Sequence, residues 1–553
     1  MKRIGAEILI ECLKEQGVTT VFGYPGGTVL DIYDALYRDG TIEHVITSHE
    51  QGAAHAADGW ARVTGKTGVV IATSGPGATN LVTGIATAYM DSIPVVAITG
   101  NVGASMLGRD SFQEIDIFGI TLPITKHNYI VKDVKDLAGV VREAFQIANS
   151  GRKGPVLIDI LKNVQSDTAD YAPQKPVPVR KKAVPPRELE AAAQAIAKAQ
   201  RPLIMVGGGV IASEAAAEAR ALAERLRAPV VSTLMGLGAF PASHPLFAGM
   251  MGMHGTATAA KLCMESDCII ALGTRFSDRV ALNRDKFAAG KTVVQLEIDE
   301  AEIDKNVGVT YGILGDVKQS LTTLIPMLPE VKERAFVKTL ENYRAQEKAT
   351  AKPLELGHKV LIEAAKLAKE DTIVVTDVGQ HQMWTAQYYP IEKPRTFCTS
   401  GGLGTMGYGL GAAIGAAKAT GKHVILVTGD GCFNMNLNEL STAVTHELPI
   451  TILLMNNHAL GMVRQWQKLF YGNRFSQTDV RKRTDYVRFA ESFGAVGLAI
   501  EKEEDIVPVL TKALATQTPV LVDCRISNDE NVLPMIKPGQ TYDTIITDWE
   551  ARE

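Results

Sequence analysis

Short apolar runs alternate with helix-like segments along the whole chain. Early runs such as EHVIT (43–47), TGVVIAT (67–73) and IPVVAITG (93–100) are rich in β-branched residues. Runs that are apolar on both faces are typical of parallel strands covered by helices on both sides. The pattern therefore predicts an α/β protein made of doubly wound parallel sheets with right-handed crossovers.

Two interruptions divide this pattern into three parts. Residues 171–187, YAPQKPVPVRKKAVPPR, combine prolines with basic residues, and proline favours extended backbone, so we expect a linker there. A second interruption lies near 350–357, after a polar helix-like segment. The predicted domains are residues 1–170, 185–345 and 355–553.

Composition and charge exclude several classes of protein. The chain has 553 residues, of which 46% are hydrophobic, and a net charge of −4 without a lysine- or arginine-rich block, so nucleic acid and membrane surfaces are not expected partners. The six cysteines are scattered and form no CxxC pair, which favours a reducing, cytoplasmic location. The amino-terminal segment predicts an amphipathic helix, with no signal peptide and no membrane span.

Candidate chemistry first appears in VTGDGCFNMN (427–436). Asp430 stands between Gly429 and Gly431 where an apolar strand ends, and the next predicted strand ends in paired asparagines, the second being Asn457. The carboxyl ends of neighbouring parallel strands can present both side chains to one ligand, and their oxygens suit Mg²⁺. The alternative for Gly-Asp-Gly alone is an ordinary β-turn.

The spacing from GDG to NN resembles the cofactor signature of thiamine-diphosphate enzymes. By that resemblance, the Asp430 and Asn457 side chains and the carbonyl oxygen of Ala459 bind the Mg²⁺ that holds the diphosphate. The same cofactor needs a carboxyl group that exchanges a proton with its pyrimidine ring. Glu50, in SHEQGAAHAADGWAR (48–62), follows a strand and opens a helix, so it is the candidate. Its alternative role is structural, because Ser48 to Gln51 fits a capping box and a glutamate suits a first helical turn.

Further motifs extend the resemblance over nearly all of the chain. They resemble the large, catalytic subunit of acetohydroxyacid synthase (acetolactate synthase), and they are VFGYPGG (21–27), TSGPGATNLVTGIATAYMDSIPVVAITG (73–100), SFQE (111–114), GGLGTMGYGLGAAIG (401–415) and GMVRQWQ (461–467). The resemblance implies a pyrimidine-binding, a central FAD-binding-like and a diphosphate-binding domain. It also implies that the two-carbon unit of pyruvate is transferred to a second 2-oxo acid, either pyruvate or 2-oxobutyrate, in the first common step of branched-chain amino acid biosynthesis.

The resemblance also implies an assembly. In this family the active site forms between two chains, so Glu50 of one copy would reach the cofactor held by Asp430 of another. We therefore expect a homodimer or homotetramer. A small regulatory subunit is a further possible partner.

Several residues inherit catalytic roles from the matching motifs. Gly27 would lie near a developing oxyanion, although Pro-Gly-Gly also suits a plain turn. Phe112 and Gln113 resemble the pair that packs against and hydrogen-bonds the reacting groups. Lys162 fits an active-site lysine, although the residues on both sides of it depart from the family pattern.

Other residues are expected to contact the cofactor or to select the acceptor. The carbonyl of Gly404 would accept from the pyrimidine amino group, and Met406 would support the bent cofactor, unless it simply packs in the core. Gln380 and His381 would bind the diphosphate. Trp466 is expected to form an aromatic wall that favours 2-oxobutyrate as the acceptor. Arg279 is expected to bind the acceptor's carboxylate as a cation. Their alternatives are a core tryptophan and a surface arginine.

The middle of the chain resembles the FAD-binding region of the family. The matching positions are His254, Gly255, Thr256, Asp299 and Asp316. Gly207 to Gly209 follow an apolar strand but lack the full spaced dinucleotide fingerprint, so a nicotinamide site is not supported. Ser277 and Glu297 depart from the usual family residues. FAD is therefore an expected cofactor that these two departures put in question.

Three other functions compete with this interpretation. Another thiamine-diphosphate carboligase is the nearest, such as catabolic acetolactate synthase or sulfoacetaldehyde acetyltransferase, although the FAD-like segments and GMVRQWQ favour the biosynthetic enzyme. Glyoxylate carboligase is expected to lack the glutamate. A non-catalytic binding or regulatory protein with the same fold is disfavoured because Glu50, Asp430 and Asn457 occur together.

Overall fold

Three six-stranded parallel sheets follow one another along the chain, each flanked by helices on both faces. The structure is a computed structural model, and it describes residues 1–480 and 484–548. The predicted fold class is confirmed. No helix in these described ranges is long and apolar enough to cross a membrane.

The first sheet occupies the amino-terminal part of the chain, which we call the N-domain. The strands of the N-domain are β1 Lys2–Ile4, β2 Thr20–Tyr24, β3 Glu43–Ile46, β4 Gly68–Ala72, β5 Val95–Asn101, β6 His127–Val131, β7 Val156–Leu161 and β8 Thr168–Asp170. Its helices are α1 Gly5–Glu15, α2 Leu30–Asp39, α3 Glu50–Thr64, α4 Pro76–Asn80, α5 Val82–Asp91, α6 Ile117–Thr121, α7 Val134–Asn149 and α8 Lys162–Ser166. The sheet has the order β3-β2-β4-β5-β7-β6, while β1 and β8 form a separate antiparallel pair.

The second sheet forms the central domain. Its strands are β9 Pro202–Val206, β10 Val230–Ser232, β11 Phe247–Met250, β12 Cys268–Leu272, β13 Thr292–Glu297 and β14 Tyr311–Leu314. Its helices are α9 Pro186–Lys198, α10 Gly208–Ala212, α11 Ala216–Leu226, α12 Ala257–Glu265, α13 Asp278–Ala281, α14 Arg284–Phe287, α15 Val317–Leu324 and α16 Ala335–Ala349. The order is β11-β10-β9-β12-β13-β14, so the direction of winding reverses between β9 and β12.

The third sheet forms the C-domain. Its strands are β15 Ile373–Thr376, β16 Phe397–Cys398, β17 Val424–Gly429, β18 Ile450–Asn456, β19 Val496–Ile500 and β20 Val520–Arg525. Its helices are α17 Leu356–Leu367, α18 Gln380–Tyr388, α19 Tyr408–Thr420, α20 Asp430–Asn436, α21 Leu440–Thr445, α22 Gly461–Phe470, α23 Tyr486–Ser492 and α24 Ile506–Ala515. The strand order is β16-β15-β17-β18-β20-β19. If the strands of each sheet are renumbered from the first in the chain, this order is the same as that of the N-domain sheet. The N- and C-domains therefore share one topology.

The segments between the sheets agree with a linker at the first interruption. In the described chain, residues 171–185 contain neither helix nor strand, and most of them are exposed. The second interruption lies between α16 and α17. The domain boundaries drawn from the sequence remain predictions.

The N- and C-domains are joined by very close packing of α3 against α19. A Cβ atom added to Gly415 would lie 1.9 Å from the carbonyl oxygen of Ala56, and one added to Gly59 would lie 2.2 Å from that of Ala412. One apolar cluster accordingly spans both sheets and includes Phe22, Val70, Leu426 and Ile452. Glycine and alanine are required along this seam because the two helix backbones are in contact.

A glycine-to-alanine change in this seam should have the opposite effect to one on an exposed helix face elsewhere. Gly415→Ala should lower the free energy of unfolding by about 1–3 kcal/mol, because the new methyl group meets backbone that cannot turn aside. Gly139→Ala, on the exposed face of α7 with nothing within 4 Å, should raise it by about 0.5–1 kcal/mol. Melting temperatures of both variants test this. Equal shifts would contradict the close packing.

Candidate active site

One cavity at the carboxyl ends of β15, β17 and β18 gathers many of the predicted residues. We call it the C-domain cavity. The predicted residues that line it are Gln380, His381, Met406, Gly429, Asp430, Gly431, Asn457 and Ala459. The carboxyl edge of a parallel sheet is where ligands bind in doubly wound domains. The strand-end argument from the sequence therefore agrees with the structure.

Asp430 is the first residue of α20, so the β-turn alternative is wrong. Its Oδ1 atom is buried without a hydrogen-bond partner, and burial raises the pKa of the carboxyl to about 7. The Oδ1 atom of Asn457 accepts from the backbone N–H of Ala459 at 3.0 Å. A desolvated carboxylate beside an amide oxygen fits a hard divalent cation. The described residues contain no cluster of three His, Cys, Asp or Glu side chains that could hold a metal by themselves.

Two helices begin at the wall of the C-domain cavity. The first turns of α18 and α22 carry Gln380 and Gly461, and neither helix is capped by a side chain. Their free backbone N–H groups and positive dipole ends favour an anionic ligand. His381 beside them is neutral, because burial lowers its pKa to about 3, and its Nε2 atom has no partner. The cavity thus offers donors to an anion and oxygens to a cation.

Glycines let side chains and backbone approach closely around this cavity. A Cβ atom on Gly461 would lie 2.0 Å from Gln380 Oε1 and 2.8 Å from Asn457 Nδ2. One on Gly429 would lie 3.0 Å from His381 Nδ1. Gln380 itself is held by bonds from its Nε2 atom to Gln465 Oε1 (3.1 Å) and to a backbone carbonyl. The protein itself therefore holds the Gln380 side chain beside the cavity.

Of residues 401–407, Met406 lines the cavity. Gly404 has φ = 70°, a conformation that favours glycine, and it does not itself line the cavity. A Cβ atom added to Gly431 would lie 3.7 Å from the Cε atom of Met406. Met406 is only half-buried, so it borders the cavity and is not a core residue.

Glu50 begins α3 as predicted, and its Oε2 atom accepts a hydrogen bond from Asn80 Nδ2 at 2.9 Å. The capping box, which was the structural alternative, is not formed. His49 is the N-cap residue, and its Nδ1 atom accepts from the backbone N–H of Gln51, while the Ser48 hydroxyl donates to the carbonyl of Asn438. The imidazole thus replaces the serine as the cap and leaves Ser48 to contact the C-domain.

The other predicted catalytic residues lie at the carboxyl edge of the N-domain sheet. Gly27 follows β2, and Lys162 follows β7 and pairs with Asp31 at 2.8 Å. Gln113 lies against Gly75, whose added Cβ atom would be 2.9 Å from that of Gln113. Phe112 is 85% exposed. Together with Glu50 these residues form what we call the N-domain cluster.

Within one chain the N-domain cluster and the C-domain cavity are separate. Glu50 does not line the cavity that contains Asp430. The start of α3 instead meets Glu439, whose carboxylate accepts from the backbone N–H groups of Ser48 and His49. Within one chain, Glu50 therefore does not contribute to the C-domain cavity.

The central domain places its predicted residues at the carboxyl ends of its strands. His254 is buried, and burial lowers its pKa to about 4. Its neighbours Gly255 and Thr256 precede α12, which Thr256 caps. Asp299 and Asp316 follow β13 and β14, where they cap a short 3₁₀ turn and α15.

Gly207 and Gly209 mark the reversal point of the central sheet. An added Cβ atom on Gly207 would lie 2.3 Å from the Gly273 carbonyl oxygen, and one on Gly209 would lie 2.6 Å from Gly273 Cα. Reversal points of this strand order bind nucleotides in doubly wound domains. Glu297 ends β13 beside this point with its carboxylate accepting backbone N–H groups, and Ser277 precedes α13 without capping it.

Trp466 and Arg279 lie at the border between the central and C-domains. Trp466, on α22, packs against the apolar cluster of the central domain that includes Phe276 and Val280, and its ring meets Phe470 edge-on at 5.4 Å. Arg279 is largely exposed and pairs with its neighbour Asp278 at 3.2 Å. Trp466 is therefore partly a packing residue, and its predicted role in specificity remains a prediction.

Comparisons with known proteins agree with this architecture. Residues 3–120, 189–324 and 377–524 match the family descriptions "Thiamine pyrophosphate enzyme, N-terminal TPP binding domain", "central domain" and "C-terminal TPP binding domain". "Acetolactate synthase" of Mycobacterium bovis is 47% identical, over 98% of this chain and 91% of its own length. The chain belongs to the acetolactate synthase family. It is therefore an enzyme of the transferase class that uses thiamine diphosphate (thiamine pyrophosphate).

More distant members of the acetolactate synthase family align over the same length. The "Acetolactate synthase large subunit" of Corynebacterium glutamicum is 45% identical, over 98% of this chain and 90% of its own. The "Probable acetolactate synthase large subunit" of Methanocaldococcus jannaschii is 44% identical, over 98% and 95%. The similarity thus covers all three sheets.

The sequence arguments missed residues that the structure places in these sites. Gly461 lines the C-domain cavity and starts α22, and its signal was a glycine close behind the paired asparagines. Asn80 holds Glu50, and it belongs to the GPGATN run whose role was left unassigned.

Gly461 gives a test of the C-domain cavity. In Gly461→Ala the new methyl group displaces the flexible ends of Gln380 and Asn457, so we expect thiamine diphosphate to bind at least about tenfold more weakly while the fold is retained. Titration of the apoprotein with cofactor measures the affinity. Gly139→Ala is the control and should bind as the wild type does. Wild-type affinity in Gly461→Ala would contradict this account of the cavity.

Proposed function

We propose that this enzyme decarboxylates pyruvate and transfers the two-carbon unit to a second 2-oxo acid. The products would be 2-acetolactate from pyruvate and 2-aceto-2-hydroxybutyrate from 2-oxobutyrate, in the biosynthesis of branched-chain amino acids. The observation that carries the proposal is the C-domain cavity, where Asp430, Asn457 and two uncapped helix ends meet in a chain of the acetolactate synthase family. Bound thiamine diphosphate supplies the electron sink for this chemistry.

We further infer a Mg²⁺ ion in the C-domain cavity. The unpartnered Oδ1 atom of Asp430, the side-chain oxygen of Asn457 and the carbonyl of Ala459 are the proposed ligands. His381, Gln380 and the start of α22 would hold the diphosphate. Gly429 and Gly431 allow backbone close to it, while Gly404 and Met406 would orient the pyrimidine. The support is the fit of hard oxygens and uncapped N–H groups to a cation and an anion.

The N-domain cluster would act on a cofactor held by a second copy of the chain. Glu50, held by Asn80, would exchange a proton with the pyrimidine ring. Gly27, Phe112, Gln113 and Lys162 would contact the reacting groups. Large apolar side chains are exposed beside the separated halves, as expected for surfaces that pair, and they include Leu30, Phe112, Leu403 and Met435. A homodimer is the smallest assembly with complete sites, and a homotetramer would contain two such pairs.

Two inactive variants should restore activity when they are expressed together. Glu50→Gln and Asp430→Asn alone should each lower the rate of acetolactate formation by about 100-fold or more. Random pairing makes half of the dimers mixed, and each mixed dimer has one intact site, so co-expression should give about a quarter of the wild-type rate. Acetolactate is measured with pyruvate, Mg²⁺ and thiamine diphosphate.

Co-expression of Asp430→Asn with Asn457→Ala is the control, because both changes fall in the same half and no pairing restores a site. Activity equal to this control would reject an active site shared between chains. A wild-type protein that binds thiamine diphosphate yet forms no acetolactate would overturn the proposed reaction itself.

We also propose that the central domain binds FAD. The support is the reversal point at Gly207 and Gly273, where only backbone without Cβ atoms fits, with His254 and Asp316 following the two edge strands of the same sheet. Burial and the nearby Arg152 lower the pKa of the Arg275 guanidinium, a cation suited to a diphosphate. Asp299, Gly255 and Thr256 complete the proposed set. A flavin absorbance spectrum of the purified protein tests this.

Trp466 is the proposed determinant of acceptor choice, with Arg279 binding the acceptor's carboxylate. An aromatic surface would bury the extra methylene of 2-oxobutyrate, worth about 1–3 kcal/mol. Trp466→Leu should therefore lower the ratio of 2-aceto-2-hydroxybutyrate to acetolactate about tenfold when both acceptors compete. Phe470→Leu removes the neighbouring ring on α22 and serves as the control. An unchanged product ratio in Trp466→Leu would contradict its role.

Two further proposals concern the setting of the enzyme. Relatives named large subunits make a small regulatory subunit a candidate partner. All six cysteines lie in the described chain, where they are buried and unpaired, which supports a reducing, cytoplasmic location.

A further inference from the structure

Asp91, the last residue of α5, accepts hydrogen bonds from a segment of another domain. Its side chain is fully buried, and its two carboxylate oxygens accept from the backbone N–H groups of Gly401 (3.0 Å) and Gly402 (2.7 Å). Gly402 has no room for a side chain, because an added Cβ atom would lie 2.9 Å from Met90 Cβ. The N-domain therefore holds the start of the segment 401–407, in which Met406 lines the C-domain cavity.

A cation and a second carboxylate complete this buried contact. Arg62, on α3, donates to Asp91 at 2.8 Å and to Asp58 at 2.6 Å. Asp58 also accepts from the hydroxyl of Tyr408 at the start of α19, at 2.7 Å. The four side chains Asp58, Arg62, Asp91 and Tyr408, which we call the buried junction, link two helices of the N-domain to both ends of the segment 401–407. Each charge has a partner, as buried charges require.

The segment 401–407 has few other anchors. Gly401, Gly402 and Gly404 are exposed, and Leu403 is 43% exposed. Beyond the junction, the Thr405 hydroxyl bonds that of Thr87 on α5 at 2.8 Å, the Thr405 backbone N–H donates to Ser400 Oγ at 3.0 Å, and the carbonyl of Gly407 accepts from Asn436 Nδ2. An exposed, glycine-rich segment keeps one conformation only where such contacts restrict it.

We propose that Asp91 is a positioning residue, whose buried carboxylate, oriented by Arg62, fixes residues 401–407 and thereby the Gly404 and Met406 side of the thiamine diphosphate site. The inference rests on the proposed role of Gly404 and Met406 in binding the cofactor. The same junction lies on α3, which begins with Glu50. The backbone that faces one cofactor and the helix that reaches a second copy's cofactor are thus parts of one rigid unit.

The junction explains why a carboxylate is needed at the end of α5. Two backbone N–H groups and a guanidinium converge on Asp91, and only a group with two acceptor oxygens and a negative charge satisfies all three. An amide has only one acceptor oxygen, so one glycine N–H would lose its partner. The Arg62 guanidinium would also lose one of the negative charges that compensate it. The segment would then be held at fewer points.

Asp91→Asn tests the proposal through the cofactor. We expect the Kd for thiamine diphosphate to rise about tenfold, because hydrogen bonds to charged groups that hold its site are lost. The near-ultraviolet circular dichroism of the bound cofactor should also change, since its pyrimidine is no longer oriented as before. Both are measured on the assembled protein, together with its melting temperature.

Asp159→Asn is the matched control. Asp159 is also buried in the N-domain, but its carboxylate bonds Thr99 and Asn101 on β5 of the same domain. Its substitution should lower the melting temperature and leave the Kd for thiamine diphosphate within about twofold of wild type. The comparison separates positioning from loss of stability.

The outcomes are distinct. Wild-type Kd and circular dichroism in Asp91→Asn, or an equal rise of Kd in Asp159→Asn, would overturn the proposal. If Asp91→Asn does not fold, Thr87→Val is the second variant, because it removes the anchor at Thr405 without uncovering a buried charge. We expect its Kd for thiamine diphosphate to rise about threefold. No rise in Kd would overturn the proposal. A wild-type protein that does not bind thiamine diphosphate would instead reject the proposed function as well.

Discussion

The backbone contact between α3 and α19 is the constraint on which the rest of the structure depends. Two helices come this close only where glycine and alanine face each other, as at Gly59, Ala412 and Gly415. Their contact merges the apolar layers of two sheets, so the N- and C-domains share one core. The relative position of Glu50, at the start of α3, and of the segment before α19 follows from that contact.

The same constraint explains why the active-site residues occur in two groups. The N- and C-domain sheets have identical strand orders, and α3 and α19 follow equivalent strands in each. Packed against each other, these helices hold the carboxyl edge of each sheet in a fixed place, but they do not bring Glu50 into the cavity of Asp430. Under the proposed assembly, a second copy of the chain would supply the other half, because a symmetric pair would supply both halves twice.

The sequence predicted local features well and long-range pairings poorly. The β-branched runs identified the parallel sheets, and the acidic and amide residues at two strand ends identified the cavity, because both depend on periodicity and chain direction. The shared strand order of the N- and C-domains could not be read, since it depends on which distant strands pair. The sequence did not single out Asp91, because only tertiary contacts reveal its partners. His49 displaced Ser48 as the cap because the serine hydroxyl contacts α21 and the turn before it.

The separation of Glu50 from Asp430 within one chain has a consequence for mass action. Under the proposed assembly, a dilute solution would contain chains that are fully folded and yet incomplete as catalysts. Specific activity would then depend on total protein concentration, and the cofactor, by binding across two chains, would favour their association. The fraction of active enzyme would thus depend on both the protein concentration and the thiamine diphosphate concentration. Both dependences would follow from the position of the Glu50 carboxylate.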